Sequence, residues 1–190
     1  MKKRLFSLSV LVSVLALSFA VVSCDNGTTD NGSAITPIPV DKSLSLTGIT
    51  QSMIDQSNAG VVVGVWKSGT SLDTAAADLE ALFKQGEISN AFVAFNMIMD
   101  PNEPRPVVGT AYLVPLFDFS GNNKHWAGSG THMVVIFSLA ISIDMTNLTS
   151  TYTYTAYQIN DVSITNATTS VAVPGTSAKT GTIDIEFPSQ

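Results

Sequence analysis

Two histidines and a tryptophan are the residues of this chain, outside its N-terminal segment, whose types and spacing could support chemistry. His125, Trp126 and His132 lie within eight residues, with Gly128 and Gly130 between them. An imidazole can move a proton or bind a metal, an indole can stack on a sugar, and glycines let a ligand approach the backbone. We therefore take these three residues as candidate ligand-binding residues. The structural alternative is a bulged start of the following strand, with Trp126 packed over the end of the fold.

Neither a metal site nor a catalytic site is predicted from these residues. His125 and His132 are seven residues apart, so on an extended chain their side chains point to opposite faces. The chain also lacks the Gly-rich phosphate loop and the HExxH, CxxC and GxSxG motifs. An enzyme and a cofactor are therefore not predicted. A hydrolase with an unrecognised site stays open as a third possibility, because catalytic triads and carboxylate pairs are recognised only in space.

The single cysteine, Cys24, stands at the end of an apolar N-terminal segment. Three basic residues occupy positions 2–4, and an apolar run interrupted by four serines covers 5–22. This order is typical of a secretory signal peptide, predicted here over residues 1–23. A membrane-spanning anchor is the alternative, since about 20 apolar residues can cross a bilayer. The serines and the cysteine that follows favour a cleaved signal.

The sequence Val21-Val22-Ser23-Cys24 resembles the lipobox of bacterial lipoproteins, and the following Asp25-Asn26-Gly27 is similar to the mature start of spirochaete lipoproteins. The resemblance implies cleavage before Cys24 and a lipid anchor, including palmitate, on that residue. A secretory signal with an incidental cysteine is the alternative. We therefore expect the protein in the cell envelope, lipid-anchored to a bacterial membrane, with the inner and outer membranes both left open.

Composition divides the remaining chain into a tether and one domain. Residues 24–40 are rich in Asn, Gly, Thr, Asp, Ser and Pro. Such a segment cannot bury enough apolar surface to offset the entropy of ordering, so it is predicted to be a flexible tether. Residues 41–190 are long enough for a single globular domain. This domain has no cysteine, so packing and hydrogen bonds alone must hold it.

The charge of the mature chain limits its partners. Removal of the three basic residues at positions 2–4 leaves six basic and fifteen acidic residues, a net charge of −9. This balance argues against nucleic acid and against electrostatic attraction to a membrane surface. The predicted contacts are therefore the membrane, through the lipid on Cys24, and a protein or small molecule of unknown identity.

A two-residue periodicity dominates the domain and predicts half-buried strands. Ile183, Ile185 and Phe187 alternate with polar residues, as do the apolar residues of 137–143. With the other β-rich segments the count is about eight or nine strands. The predicted fold is mainly β (α+β), an antiparallel β-sandwich or short β-barrel. Three segments are apolar on both faces and are expected in the middle of a sheet or beneath a helix: Val61–Trp66, Ile88–Met99 and Val107–Phe117.

Residues 73–85 break the strand pattern and predict one α-helix packed on the sheet. Asp73 or Thr74 can cap its first amides, and Gly86 can supply the left-handed residue that ends it. Apolar residues at helical spacing form a stripe that would face the sheet: Leu72, Ala76, Leu79 and Phe83.

The sequence Gly64-Val65-Trp66 resembles the GxW motif of lipocalins. The resemblance implies a carrier that holds a small apolar ligand inside an eight-stranded barrel. The helix predicted at 73–85 departs from the lipocalin order, in which the strands continue as hairpins at this point. We therefore favour a non-catalytic binding or interaction domain, with the lipocalin-like carrier as the alternative.

These two functions make different structural demands. A carrier needs a cavity of about 300–1,000 Å³ lined by apolar side chains. An interaction domain needs an exposed apolar or aromatic patch of several hundred Å², for which Trp126, Tyr152 and Tyr154 are the candidates.

Overall fold

The computed structural model describes residues 40–98, 106–119, 124–146 and 149–186. The predicted signal peptide and the predicted tether up to residue 39 lie outside the described residues, as do residues 99–105, 120–123, 147–148 and 187–190. The elements are, in chain order, β1 (Ser43–Thr47), α1 (Gln51–Asp55), β2 (Gly60–Lys67), α2 (Leu72–Lys84), β3 (Phe92–Ile98), β4 (Tyr112–Pro115), β5 (Phe117–Asp118), β6 (Gly130–Asp144), β7 (Thr149–Ile164), β8 (Thr168–Ala172) and β9 (Lys179–Glu186).

The nine described strands form two sheets. The larger sheet has the order β5-β3-β2-β6-β7-β9, with antiparallel neighbours throughout. The smaller sheet has the order β4-β1-β8, in which β1 is antiparallel to β4 and parallel to β8. One apolar cluster joins the two sheets, and a second joins the larger sheet to α2. The predicted α+β sandwich is confirmed, and the described strands do not close into a barrel.

The strand β2 lies in the middle of the larger sheet, as its apolar residues predict. Val61, Val63 and Val65 belong to the cluster between the sheets, while Val62 and Trp66 belong to the cluster beneath α2. Side chains of alternate residues in a strand point to opposite faces, so β2 contributes to both cores. β2 therefore connects the core between the two sheets with the core beneath α2.

The segment before β4 corrects the expectation of a buried strand that begins at Val107. Val107 and Val108 are 59% and 46% exposed. The amide of Thr110 donates to the carbonyl of Val107 at 3.2 Å, its hydroxyl does so at 2.9 Å, and Gly109 adopts a positive φ of 77°. A turn stabilised by these bonds occupies the position, and the strand begins only at Tyr112.

The predicted helix is confirmed, but both of its ends differ from the prediction. Ser71 caps α2 by accepting a hydrogen bond from the amide of Thr74. At the other end Gln85, rather than Gly86, adopts the left-handed conformation with φ 55°, and the amide of Gly86 donates to Ala81 at 2.8 Å. The short helix α1, capped by Thr50, escaped sequence reasoning because five residues are too few for a helical period to be recognised.

A buried carboxylate fastens α2 to the larger sheet. Asp78 is only 4% exposed, and its Oδ2 accepts hydrogen bonds from Trp66 Nε1 at 2.8 Å and from the Ser89 hydroxyl at 2.7 Å. The amide of Ser89 donates to its Oδ1 at 2.7 Å. Buried polar groups are tolerated when they are hydrogen-bonded, and each of these three donors has a partner in Asp78. The bonds join β2, α2 and the segment that leads to β3.

An ion pair on the surface also connects α2 with β9. Lys179 Nζ lies 2.6 Å from Asp73 Oδ1. Its hydrogen bond lowers the pKa of Asp73, and the same bond raises the pKa of Lys179. Both groups are open to solvent, and exposed ion pairs contribute little to folding. The buried bonds of Asp78 are therefore the stronger polar attachment of the helix.

We expect Asp78→Ala to lower the free energy of unfolding by about 3 kcal/mol, because three donors lose their buried acceptor. Glu80→Ala on the exposed face of α2 is the matched control, since it removes only the surface pair with Lys84. Its effect should stay below about 0.5 kcal/mol. Urea unfolding followed by tryptophan fluorescence measures both values. Equal effects of the two substitutions would contradict the role assigned to Asp78.

Candidate functional site

At one end of the larger sheet, β2 and β7 end and β6 begins. Lys67, the last residue of β2, pairs with His132 of β6, and His132 pairs with Val162 of β7. We call this region the sheet end and define it as residues 67–70, 130–133 and 158–165. It brings together segments that are far apart along the chain, and the candidate residue His132 lies within it.

A bulge in β7 shapes the sheet end. Val134 pairs with Ile159 and His132 with Val162, so two residues of β7, at positions 160 and 161, lie opposite the single residue Met133 of β6. Within the bulge Asp161 adopts a left-handed conformation with φ 56°. Aspartate tolerates this conformation better than most residues, and bulges re-aim side chains near functional sites. β7 runs through the bulge as one strand from Thr149 to Ile164.

A polar cleft with a volume of about 330 Å³ opens at the sheet end. Ser68 donates to Asp161 Oδ1 at 3.2 Å across its mouth. Gln158 Nε2 donates to Asn160 Oδ1 at 2.9 Å and lies 3.1 Å from Met133 Sδ. Hydroxyl, amide and carboxylate groups can orient a small polar molecule by hydrogen bonds. The cleft is lined by Ser68, Gly69, Thr70, Met133, Gln158, Asn160 and Asp161.

Trp126 and His132 meet at the sheet end, in the core between the two sheets. Both residues are 9% exposed, and their rings pack edge-to-face with centroids 5.3 Å apart. Neither ring nitrogen of His132 has a hydrogen-bond partner. Gly128 lies against the indole so closely that a Cβ there would come within 2.5 Å of it. Trp126 thus packs over the end of the fold, as the structural alternative expected, whereas the bulge lies in β7 and not at the start of β6.

His125 lies apart from this pair. Its side chain is exposed, and its ring packs on Phe117 with centroids 4.8 Å apart. The structure thus brings together two of the three candidate ligand-binding residues, Trp126 and His132, and their role in binding stays a prediction. Within the described ranges no group of three or more His, Cys, Asp or Glu side chains could hold a metal ion.

The aromatic residues expected at a surface patch lie mostly in the core. Tyr154 is buried, and Tyr152 is half-buried against Phe83 with ring centroids 4.7 Å apart. Burial raises the pKa of the Tyr152 hydroxyl. Trp126 is buried as well, so these three residues do not form an exposed patch.

An apolar pocket between the two sheets bears on the carrier alternative. Its volume is about 20 Å³, and its walls include Leu46, Ile136 and Val173. A volume of this order holds about one water molecule, whereas ligand cavities measure about 300–1,000 Å³. This pocket therefore gives no support to an apolar ligand inside the domain.

Sequence reasoning missed the residues of the polar cleft. A usable signal was present, because Gln158, Asn160 and Asp161 place polar side chains close together between two strand-like patterns. Asn and Asp at such a break favour a left-handed residue or a bulge. The contribution of Ser68 was not readable, because it depends on a contact with Asp161 across the sheet.

Comparisons of the chain with protein-family models, with curated proteins and with solved structures found no match. Among the described residues, no helix combines the length and apolar character that crossing a membrane requires.

We expect Gly128→Ala to displace the indole of Trp126, because the added methyl group has no room beside it. The cost in unfolding free energy should be about 1–3 kcal/mol, as for other overpacked sites. Gly175→Ala is the matched control, since nothing lies within 4 Å of its Cβ position. Tryptophan emission and thermal unfolding report the two effects. Unchanged emission and stability in Gly128→Ala would show that the segment is not closely packed.

Proposed function

We propose that this chain is a lipid-anchored binding protein of the bacterial cell envelope, whose domain binds a small polar ligand in the cleft at the sheet end. The observation that carries the proposal is the convergence of polar side chains from two distant segments on one cleft of about 330 Å³. Such a volume lies within the range of small-molecule sites.

The lining predicts the chemistry of the ligand. Oxygens of Asp161, Asn160 and the two hydroxyl residues Ser68 and Thr70 can all accept hydrogen bonds. A carboxylate has about four acceptor positions, and the bond from Ser68 uses one of them. A ligand that donates several hydrogen bonds, such as a polyol or a small amine, is therefore the best complement.

The backbone at Asp161 supports the same interpretation. A non-glycine residue at positive φ carries a conformational cost, and such residues are found disproportionately at binding sites. Glycine would adopt φ 56° more readily but would lack the carboxylate that lines the cleft. Aspartate at this position thus combines the left-handed backbone with a carboxylate in the cleft.

The attachment to a membrane is proposed from the N-terminal sequence. The lipobox-like residues 21–24, the basic start and the single cysteine support a lipid on Cys24. Several acyl chains give stable anchoring, because each buried methylene contributes about 0.8 kcal/mol. The polar composition of 24–40 would hold the domain away from the lipid surface.

Cys24→Ala should abolish the incorporation of labelled palmitate in cells, because the acylated thiol is lost. Ser23→Ala is the matched control, since it keeps a small residue before the cut and should leave labelling unchanged. Autoradiography of the immunoprecipitated protein measures the incorporated palmitate. Labelling that persists in Cys24→Ala, or is absent from the unaltered chain, would refute the lipid anchor.

The cleft is tested with glucose and ethanolamine as two hydrogen-bond-donating probes. We expect at least one of them to shift the side-chain amide NMR signals of Gln158 and Asn160. Asp161→Asn should raise the dissociation constant roughly tenfold, because a charged acceptor is lost while the left-handed conformation is kept. Asp184→Asn is the matched control, since Asp184 accepts one hydroxyl bond from Thr151 in another part of the sheet.

The outcomes of the two experiments are independent. If neither probe moves either amide signal at millimolar concentration, the cleft is not the binding site. The proposal of a lipid anchor would then still be decided by the palmitate labelling experiment.

A further inference from the structure

Lys42 is a buried cation without an acidic partner in the part of the chain that the structure describes. The residue is 6% exposed, and its Nζ donates to the carbonyl of Thr165 at 2.7 Å. The ion pairs among the described residues involve other lysines. An ammonium group has three donors, and burial of an unneutralised charge is costly. The side chain is therefore placed where a negative charge would stabilise it.

Lys42 lies beside Trp126 and next to the paired strands that hold His132. Its amide donates to the carbonyl of Trp126 at 2.8 Å. Thr165, which accepts the Lys42 side chain, directly follows Ile164, and Ile164 pairs with Gly130. A Cβ on Gly130 would lie 3.5 Å from His132 Nε2, so this ring nitrogen faces the same strand pair. Lys42 and His132 are thus both linked to the same end of the core, the one formed by Gly130, Ile164 and Thr165.

We propose that Lys42 and His132 form a binding site for the carboxylate group of a small molecule, covered by Trp126 in this structure. The Lys42 ammonium would pair with the carboxylate, and an N–H of His132 would donate to its second oxygen. Both groups would then gain the partner that they lack. A singly charged carboxylate also balances the single charge of Lys42.

The cover is built so that it can move. Trp126 precedes Ala127-Gly128-Ser129-Gly130, and Gly130 adopts a positive φ of 133°. The backbone of Trp126 is held by hydrogen bonds to Leu116 and Lys42, so His132 would be uncovered by rotation of the indole side chain, and the glycines that follow could adjust to it. The site lies in the core between the sheets, apart from the polar cleft, and does not rest on the function proposed for that cleft.

Acetate and its neutral analogue acetamide test the site in the full chain labelled with ¹⁵N-histidine. The chain has two histidines, and the exposed His125 serves as an internal reference. We expect acetate to shift the ring nitrogen signals of His132 and to change the emission of Trp126. Acetamide, and chloride at equal ionic strength, should do neither. Equal shifts with acetamide or chloride, or no shift of His132 with acetate, would overturn the proposal.

Two substitutions separate binding from structure. Lys42→Met should weaken the acetate response roughly tenfold or more, because the paired charge is lost. Lys124→Met removes an exposed lysine two residues before Trp126 and should leave the acetate response unchanged. An equal loss in both variants would point to bulk electrostatics and overturn the site.

His132→Phe gives a second readout that a purely structural histidine would not show. It removes two buried nitrogens without partners, so the midpoint of thermal unfolding should rise while the acetate response of Trp126 disappears. A lower midpoint would mean that His132 is satisfied in the folded state, against the proposal. If this variant does not fold, the titration of the unaltered chain and of Lys42→Met still decides.

Discussion

The carboxylate of Asp78 is the interaction on which the arrangement of the domain depends. It holds α2 against the larger sheet through Trp66, and it holds the segment before β3 through Ser89. The loop 68–70, which forms one wall of the polar cleft, connects Trp66 with α2 and is anchored at both ends by this contact. The position of the cleft wall therefore follows from a bond made within the core.

Buried polar groups have their hydrogen-bond partners around Asp78 but are incompletely partnered beside Trp126. Around Asp78 every named donor has an acceptor, which is the usual state of a protein interior. Beside Trp126, the ring nitrogens of His132 have no hydrogen-bond partner among the described residues, and the Lys42 ammonium has only the carbonyl of Thr165. A domain without disulfides has little reason to retain such uncompensated groups for stability. Departures from local consistency of this kind are expected at functional sites, and two observations of this type coincide beside Trp126.

The bulge in β7 determines which side chains lie on each face of the sheet end. An extra residue between Ile159 and Val162 puts Asp161 at the cleft while Val162 stays opposite His132. A regular strand would preserve strict alternation and would place these side chains differently. One irregularity thus allows a polar cleft and a buried histidine to occupy the same end of one sheet.

The sequence alone was sufficient to predict most elements, because periodicity reports which face of a strand or helix is apolar. It predicted a mainly β fold, either a sandwich or a short barrel, together with the helix near 73–85 and the buried position of Trp66. The prediction of burial was wrong where burial depends on distant contacts. The apolar pattern at Val107 and Val108 predicted a buried strand, but both residues are exposed in a turn. Tertiary structure alone decided which polar groups meet. The bonds from Trp66 to Asp78, from Ser68 to Asp161 and from Lys42 to Thr165 join residues 12, 93 and 123 positions apart, and no local pattern encodes such a pairing.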